Sequence, residues 1–237
     1  MIGWGSSEGR DRQASIDSDP LEPPGEPSAA RNEGGSHLVL ASASLRRRRL
    51  LETLGLEPTV RPSNVDETVR HGETPDGYVT RLAALKAGFA VGSGEVALGA
   101  DTTVVLGERI LGKPADAAEA AAMLTALSGQ THRVLTAQAV VGRDPAGGFN
   151  VRAGALSTAT VTFRALERSE IDAYVETGVP LDRAGAYGIQ EWGGAFVHHL
   201  EGRRDTVIGL DLSWTSRLLR IAGINPPHRP PAEPLSS

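Results

Sequence analysis

A cluster of hydroxyl and guanidinium groups follows the first apolar run of the chain. Residues 37–41 predict a short buried strand, and Ser42, Ser44, Arg46 and Arg47 come directly after it. The first turn of a helix leaves backbone N–H groups unpaired and carries the positive end of the helix dipole. A helix that begins at Ser44 could therefore bind phosphate. A solvated helix face with Ser44 as a plain N-cap explains the same residues and stays open as the alternative.

Acidic residues form a second candidate site. Asp101 lies within the apolar segment VALGADTTVVL, where a carboxylate is costly unless it is paired or metal-bound. Gly99 and Ala100 before it leave space for another group to approach, although an aspartate that caps a turn at a strand end is the alternative. Asp66 and Glu67 are adjacent acids in a predicted loop, a common surface pattern. Together with Asp101 they would supply oxygen ligands for a hard cation such as Mg²⁺.

Two lysines and one glutamine complete the candidate groups. Lys86 lies on a predicted helix, where solvent exposure is the simpler interpretation. Lys113 lies between Gly112 and Pro114, which predict a tight, preformed turn. Gln190 ends the segment AGAYGIQ and offers both a donor and an acceptor to a nucleotide base, although a flexible loop would explain this segment equally well.

Composition excludes several other classes of function. The absence of cysteine excludes disulfides, thiolate zinc sites and a cysteine nucleophile. The sequence contains no P-loop, no H-E-x-x-H motif and no G-x-S-x-G nucleophile elbow. A net charge of −5 argues against nucleic acid as the main partner. No apolar run approaches the ~18 residues of a membrane helix, and no secretory signal is recognisable, so we expect a cytoplasmic protein without membrane contact.

The elements that must position these residues alternate between strands and helices. A helix over residues 44–54 is followed by Gly55, which is typical of a helix end. Thr74 caps a second helix, and we expect its apolar face to carry Tyr78, Leu82, Leu85 and Phe89. Further helices are predicted over 115–127, from Ser169 and over 212–222. Between them lie strands, including a long β pair that covers HRVLTAQAVVG and LSTATVTFRAL and a later strand in GGAFVHHLEG. This order predicts an α/β fold with a mixed sheet.

Composition also sets the limits of the folded part. Residues 1–36 are rich in Ser, Pro, Gly and charged groups, so we predict a disordered arm there. The segment PPHRPPAEPLSS near the other end predicts a disordered tail over 225–237. The remaining residues, 37–224, are enough for one domain with a buried core.

The motifs, in their order, resemble the Maf family of nucleotide pyrophosphatases. The resemblance rests on LASASLRRRRLL, VDET, RLAALKA, GADTTVV, GKP, LSGQTHRVLT and YVETGVPLDRAGAYGIQ, and it covers nearly all of 37–224. It implies the elongated Maf/inosine-triphosphatase fold, in which a central mixed sheet carries an active site in a cleft between two lobes. Leu45 stands where the family usually has proline, and Asp211 replaces proline in GLPL, but neither departure touches a proposed catalytic group.

The resemblance also implies residue roles. Asp101 matches the catalytic carboxylate that accepts a proton, and Glu67 matches an acidic position associated with metal binding and catalysis. A divalent cation, Mg²⁺ or Mn²⁺, would therefore be held by Glu67 and Asp101. The triphosphate of the substrate would be bound by Ser42, Ser44, Arg46, Lys86 and Lys113.

Three positions resemble those that distinguish the branches of the family. Arg47, Thr102 and Gln190 match the branch that acts on dTTP and UTP, and we expect hydrolysis of these nucleotides to monophosphate and pyrophosphate. A 7-methyl-GTP or broad-specificity pyrophosphatase is the alternative enzyme. A septum-formation inhibitor that acts by protein interaction is the alternative of another class. The family resemblance further suggests a homodimer.

Overall fold

A seven-stranded mixed sheet runs through the part of the chain that the structure, a computed structural model, describes, which is residues 37–231. Its strands are β1 (His37–Leu40), β2 (Thr59–Val60), β3 (Glu95–Leu106), β4 (Arg109–Leu111), β5 (Thr131–Arg143), β6 (Phe149–Phe163) and β7 (Val197–Glu201). The order is β2-β1-β3-β5-β6-β7, with β4 beside β3. β1 pairs in parallel with β2 and β3, and the other pairs are antiparallel. The predicted α/β fold with a mixed sheet is confirmed.

Within the described residues, six α-helices cover the sheet: α1 (Leu45–Thr53), α2 (Pro75–Ala90), α3 (Ala117–Leu127), α4 (Arg168–Glu176), α5 (Arg204–Ile208) and α6 (Leu212–Ile221). Leucines of α1 and α6 share one core cluster, and small apolar residues of α2 form another with β1, β3 and β5. α3 and α4 build a third cluster with the far ends of β3 and β5. No helix within residues 37–231 is long and apolar enough to cross a membrane.

The start of α1 follows its prediction closely. Ser44 is the N-cap, and its side chain accepts a hydrogen bond from the backbone N–H of Arg47. Gly55 follows the helix with a φ of +73°, a conformation that glycine adopts without strain. These two residues hold α1 against the end of β1, which brings the serines and arginines of this segment to one edge of the sheet.

The predicted apolar face of α2 is wrong. Leu82 is buried, but Leu85 is 41% exposed and Phe89 is 68% exposed. Here α2 packs on β3 through its small residues, because a Cβ added at Gly99 would lie 2.3 Å from the carbonyl oxygen of Ala83. Only alanine and glycine permit this close approach. The space expected at Gly99 is therefore filled by the α2 backbone.

Other elements differ from their predictions in extent. α3 begins two residues later than predicted because Asp116, and not an earlier residue, caps it. The strand predicted in GGAFVHHLEG is shortened to β7, since Trp192–Phe196 forms a 3-10 turn. β2, α5 and the 3-10 turns at Val179–Asp182 and Ala184–Ala186 were not predicted.

The ends of the domain bear on the two predicted disordered segments. Residues 1–36 and 232–237 lie outside the residues that the structure describes. Within the described part of the predicted tail, Pro226 is buried and the backbone N–H of His228 donates to the carbonyl of Leu54 at 3.1 Å. Ile224 is fully buried just before them. This anchor places residues 225–228 against the end of α1, so the disordered tail does not begin at residue 225.

Candidate active site

A single cleft of about 570 Å³ collects the chemically competent residues. One wall is the loop between β1 and α1 with the adjoining faces of α2 and β3. Lys113 and residues 182–184 and 187–191 supply further lining. The ten residues to which the resemblance gives a role line this cleft, namely Ser42, Ser44, Arg46, Arg47, Glu67, Lys86, Asp101, Thr102, Lys113 and Gln190, whereas Asp66, the remaining acid proposed as an oxygen ligand, is not among its lining residues. The structure therefore brings these ten together, while their individual roles stay predictions.

A buried lysine joins the two acids. Lys86 Nζ lies 2.7 Å from Oδ1 of Asp101 and 2.8 Å from Oε1 of Glu67. Lys86 and Asp101 are buried, whereas the side chain of Glu67 is 55% exposed. The simpler interpretation of Lys86 as a solvated helix residue is excluded, because this lysine lies on the face of α2 that packs on the sheet. A buried ammonium of this kind is stable only beside negative charge.

Asp101 lies in the middle of β3, opposite Ala137 of β5, and not at a strand end. The alternative of a turn cap is therefore wrong. Burial raises the pKa of Asp101 above its ordinary value, although the charges of Lys86 and Arg47 act in the opposite direction. A carboxylate with a raised pKa accepts a proton more readily, as a general base must.

Tyr78 was not predicted as a site residue. It lies two turns before Lys86 on α2 and lines the cleft. Burial, and then the negative charges of Asp101 and Glu67, raise the pKa of Tyr78 to about 12. Its phenol therefore stays protonated at neutral pH and can donate a hydrogen bond. The helical spacing between Tyr78 and Lys86 was the available signal, but tyrosine fits an apolar face equally well.

Arg47 is held by three acceptors. Its guanidinium donates to Oγ of Ser42 at 3.1 Å, to Oγ1 of Thr102 at 3.1 Å and to the carbonyl of Gly209 at 3.0 Å. Burial lowers the pKa of Arg47, while Asp101 and Glu67 raise it. Arg47 keeps its charge under such a shift, because a guanidinium is not deprotonated in proteins. Two of the three positions associated with base choice, Arg47 and Thr102, are thus in direct contact.

The two serine hydroxyls of this loop accept hydrogen bonds from backbone N–H groups at the start of α1. The backbone N–H of Ser44 donates to Oγ of Ser42 at 3.3 Å, and Oγ of Ser44 accepts from the N–H of Arg47 at 3.4 Å. Ser44 is therefore an N-cap, as the simpler interpretation holds, and it also lines the cleft. The two interpretations of this residue are compatible.

An unpredicted acid, Asp182, lies among three cations that line the cleft. Oδ1 of Asp182 is 2.6 Å from Lys113 Nζ, and Oδ2 lies 3.2 Å from Arg183 and 3.8 Å from Arg46. Although burial opposes the effect, Lys113, Arg46 and Arg183 hold the pKa of Asp182 below its ordinary value. Burial, and then the charge of Arg183, lower the pKa of Arg46. Asp182 therefore occupies the centre of a cation cluster that suits an anion.

The segment that ends in Gln190 is anchored by buried residues. Gly185, with a φ of +67°, packs against Val104, and its N–H donates to the carbonyl of Gly112. Tyr187 is buried, and its hydroxyl lies 2.9 Å from Nε2 of His132. The alternative of a loosely held loop is therefore not supported for this segment. Gln190 itself is exposed at the edge of the cleft.

The acids offer a limited donor set for a metal. Among residues 37–231, no group of three or more His, Cys, Asp or Glu side chains could hold an ion. Glu67 and Asp101 nevertheless fit Mg²⁺, which commonly takes one or two carboxylates and completes its shell with water and substrate phosphate. Lys86 contacts one oxygen of each carboxylate.

The chain matches known proteins over most of its length. The family described as Maf-like protein matches residues 37–222. A dTTP/UTP pyrophosphatase of Anaeromyxobacter dehalogenans is 51% identical over 194 residues, which cover 82% of this chain and 98% of that protein. Proteins of the same name from Moorella thermoacetica and Myxococcus xanthus are 49% and 47% identical, over 80% and 81% of this chain and 97% and 95% of theirs. This chain therefore belongs to the Maf-like protein family.

Proposed function

We propose that this chain hydrolyses a nucleoside triphosphate to the monophosphate and pyrophosphate. The observation that carries the proposal is the contact of buried Lys86 with Asp101 and Glu67, in a cleft that Lys113 and Arg46 also line. A basic carboxylate and separate phosphate-binding cations are the two requirements of metal-assisted phosphoanhydride cleavage. The activity named for the relatives is the same reaction.

Asp101 serves as the general base in this proposal. A water molecule gives its proton to the carboxylate and attacks the α-phosphorus. A bond forms between that oxygen and phosphorus while the bond from phosphorus to the α–β bridging oxygen breaks, so pyrophosphate leaves with the electron pair. Arg46 and Lys113 balance the charge of the leaving group, and Lys86 holds Asp101 in place. Most of the rate enhancement comes from positioning and electrostatic stabilisation.

We infer that the enzyme uses Mg²⁺ or Mn²⁺. Glu67 and Asp101 are the residues that would hold the ion. When bound, the cation would neutralise phosphate charge and lower the pKa of water. The exposure of Glu67 leaves this carboxylate free to reorient toward an incoming metal–nucleotide complex.

We infer a preference for dTTP and UTP, on the basis of Arg47, Thr102 and Gln190. Relatives about half identical to this chain carry that specificity in their names. The cellular role would be removal of surplus or non-canonical pyrimidine nucleotides. A homodimer and a cytoplasmic location stay predictions from the sequence.

A substrate panel tests the proposed function. The purified full chain is mixed with dTTP, UTP, CTP, ATP and 7-methyl-GTP in Mg²⁺, in Mn²⁺ and in EDTA, and pyrophosphate release is measured. We expect dTTP and UTP to have the highest kcat/KM and EDTA to abolish turnover. Highest turnover of 7-methyl-GTP would favour the alternative specificity, and activity that survives EDTA would contradict metal dependence.

A further inference from the structure

A line of hydroxyl groups runs from Arg47 into the core. Arg47 donates to Oγ1 of Thr102 at 3.1 Å, and Oγ1 of Thr102 lies 2.9 Å from Oγ1 of Thr136. Thr136 donates to the backbone carbonyl of Thr206 at 2.7 Å. Thr102 and Thr136 are opposite each other on β3 and β5, so their side chains share one face of the sheet. Thr136 is fully buried behind Thr102.

The chemistry of the terminal carbonyl sets the direction of every bond in this line. The carbonyl of Thr206 can only accept, so the single hydroxyl hydrogen of Thr136 is committed to it. Thr136 must therefore accept from Thr102 across their 2.9 Å contact. Since Arg47 can only donate, it occupies one lone pair of Thr102. Thr102 is left with one free lone pair and no hydrogen, so it can offer a ligand only an acceptor.

We propose that Thr136 is a positioning residue for base selection, because it fixes Thr102 as an acceptor toward the cleft. This inference rests on the proposed function. Uracil and thymine carry an N3–H donor between two carbonyl oxygens, which complements a Thr102 acceptor beside the donors of Arg47. Cytosine carries a lone pair at N3 and an amino group at C4, so both contacts would be mismatched. The hydroxyl of Thr136 thereby disfavours binding of cytosine nucleotides through Thr102, without contacting the base itself.

The experiment compares kcat/KM for UTP and CTP in the full chain and three variants, with Mg²⁺ and pyrophosphate detection. Thr136→Val keeps the volume but frees the Thr102 hydrogen to donate to cytosine, so we expect the UTP-to-CTP ratio to fall roughly 10-fold or more. Thr136→Ser keeps the hydroxyl and should hold the ratio within about twofold of the unmodified chain. The matched control is Thr131→Val. Thr131 also lies on β5, and its hydroxyl is 2.9 Å from that of Thr162, so the variant removes a comparable threonine pair and should leave the ratio unchanged.

The outcomes separate this inference from the proposed function. If Thr136→Val lowers kcat/KM for UTP and CTP by the same factor, Thr136 only supports the fold and the inference is overturned. If the unmodified chain releases no pyrophosphate from UTP, the proposed function fails first and the inference falls with it. Should the valine variant not fold, Thr136→Cys, with a weaker donor and acceptor, replaces it and should give an intermediate ratio. An unchanged ratio in that variant would overturn the inference.

Discussion

At the scale of single residues, the contact of Lys86 with two carboxylates controls the basicity of the site. Lys86 opposes the rise in the pKa of Asp101 that burial causes. In Lys86→Gln the pKa of Asp101 should therefore rise further, and more of this carboxyl should be protonated at a given pH. We expect the acidic limb of the kcat/KM profile to move to higher pH, with a loss of roughly 100-fold at neutral pH. Lys113→Gln is the control, because Lys113 contacts Asp182 and not Asp101. An acidic limb of the kcat/KM profile that does not move in Lys86→Gln would contradict this account.

Asp182 allows a second test at this scale. Its carboxylate competes with an incoming phosphate for Lys113, Arg183 and Arg46. In Asp182→Asn we expect the KM for UTP and the inhibition constant of pyrophosphate to fall several-fold together, since loss of the carboxylate removes its Coulomb repulsion of an incoming anion and leaves the three cations without this partner. Steady-state kinetics with added pyrophosphate measure both. Asp172→Asn is the control, because Asp172 forms an exposed ion pair with Arg168 on α4. A rise in the KM of Asp182→Asn would instead mean that Asp182 positions the cations.

Most residues of the site could be predicted, and the residues that were missed have physical reasons for it. The ten predicted residues belong to the motifs that carry the resemblance, and all ten line one cleft. Asp182 was missed although its segment was recognised, because a carboxylate repels phosphate and is not expected among cations that bind it. Thr136 gave no signal, since a buried hydroxyl in an apolar strand has meaning only once its partners on β3 and α5 are known.

At the scale of elements, the contact of α2 with β3 sets the position of Lys86. A Cβ on Gly99 would lie 2.3 Å from the Ala83 carbonyl oxygen and 2.5 Å from the Ala87 nitrogen, both backbone atoms that cannot swing aside. We expect Gly99→Ala to lower the free energy of unfolding by roughly 1–3 kcal/mol and to impair turnover as α2 moves away. Chemical denaturation and pyrophosphate release measure the two effects.

The matched control for this prediction is Gly88, which lies on α2, the helix that packs against Gly99. Gly88 has open space around its Cβ position, so Gly88→Ala should raise the stability of α2 by up to about 1 kcal/mol. Equal stabilities of the two alanine variants would contradict the packing account. The same contact explains why the apolar face of α2 was predicted wrongly. Periodicity selects large apolar residues such as Leu85 and Phe89, whereas close packing on the sheet selects small ones.

At the scale of the whole molecule, the α/β class and the mixed sheet could be predicted from alternation, but the end of the domain after α6 could not. The anchor after α6 depends on a contact with α1, which is distant in sequence. Deletion of residues 225–237 should lower the free energy of unfolding by roughly 1–2 kcal/mol, through the lost backbone hydrogen bond of His228 and the burial of Pro226. Denaturant titration measures this loss. A kcat/KM within about twofold of the full chain is expected, and a large loss would place the tail in the site.

The central claim is that Asp101 is the base of a cleft that cuts between the α- and β-phosphates. The most direct measurement is the identity and rate of the product released from UTP by the unmodified chain and by Asp101→Asn, with Asp172→Asn as the control and circular dichroism to verify folding. The account predicts pyrophosphate, and not orthophosphate, from the unmodified chain and a rate roughly 100-fold to 10,000-fold lower in Asp101→Asn. Release of orthophosphate, or normal turnover by a folded Asp101→Asn protein, would contradict it.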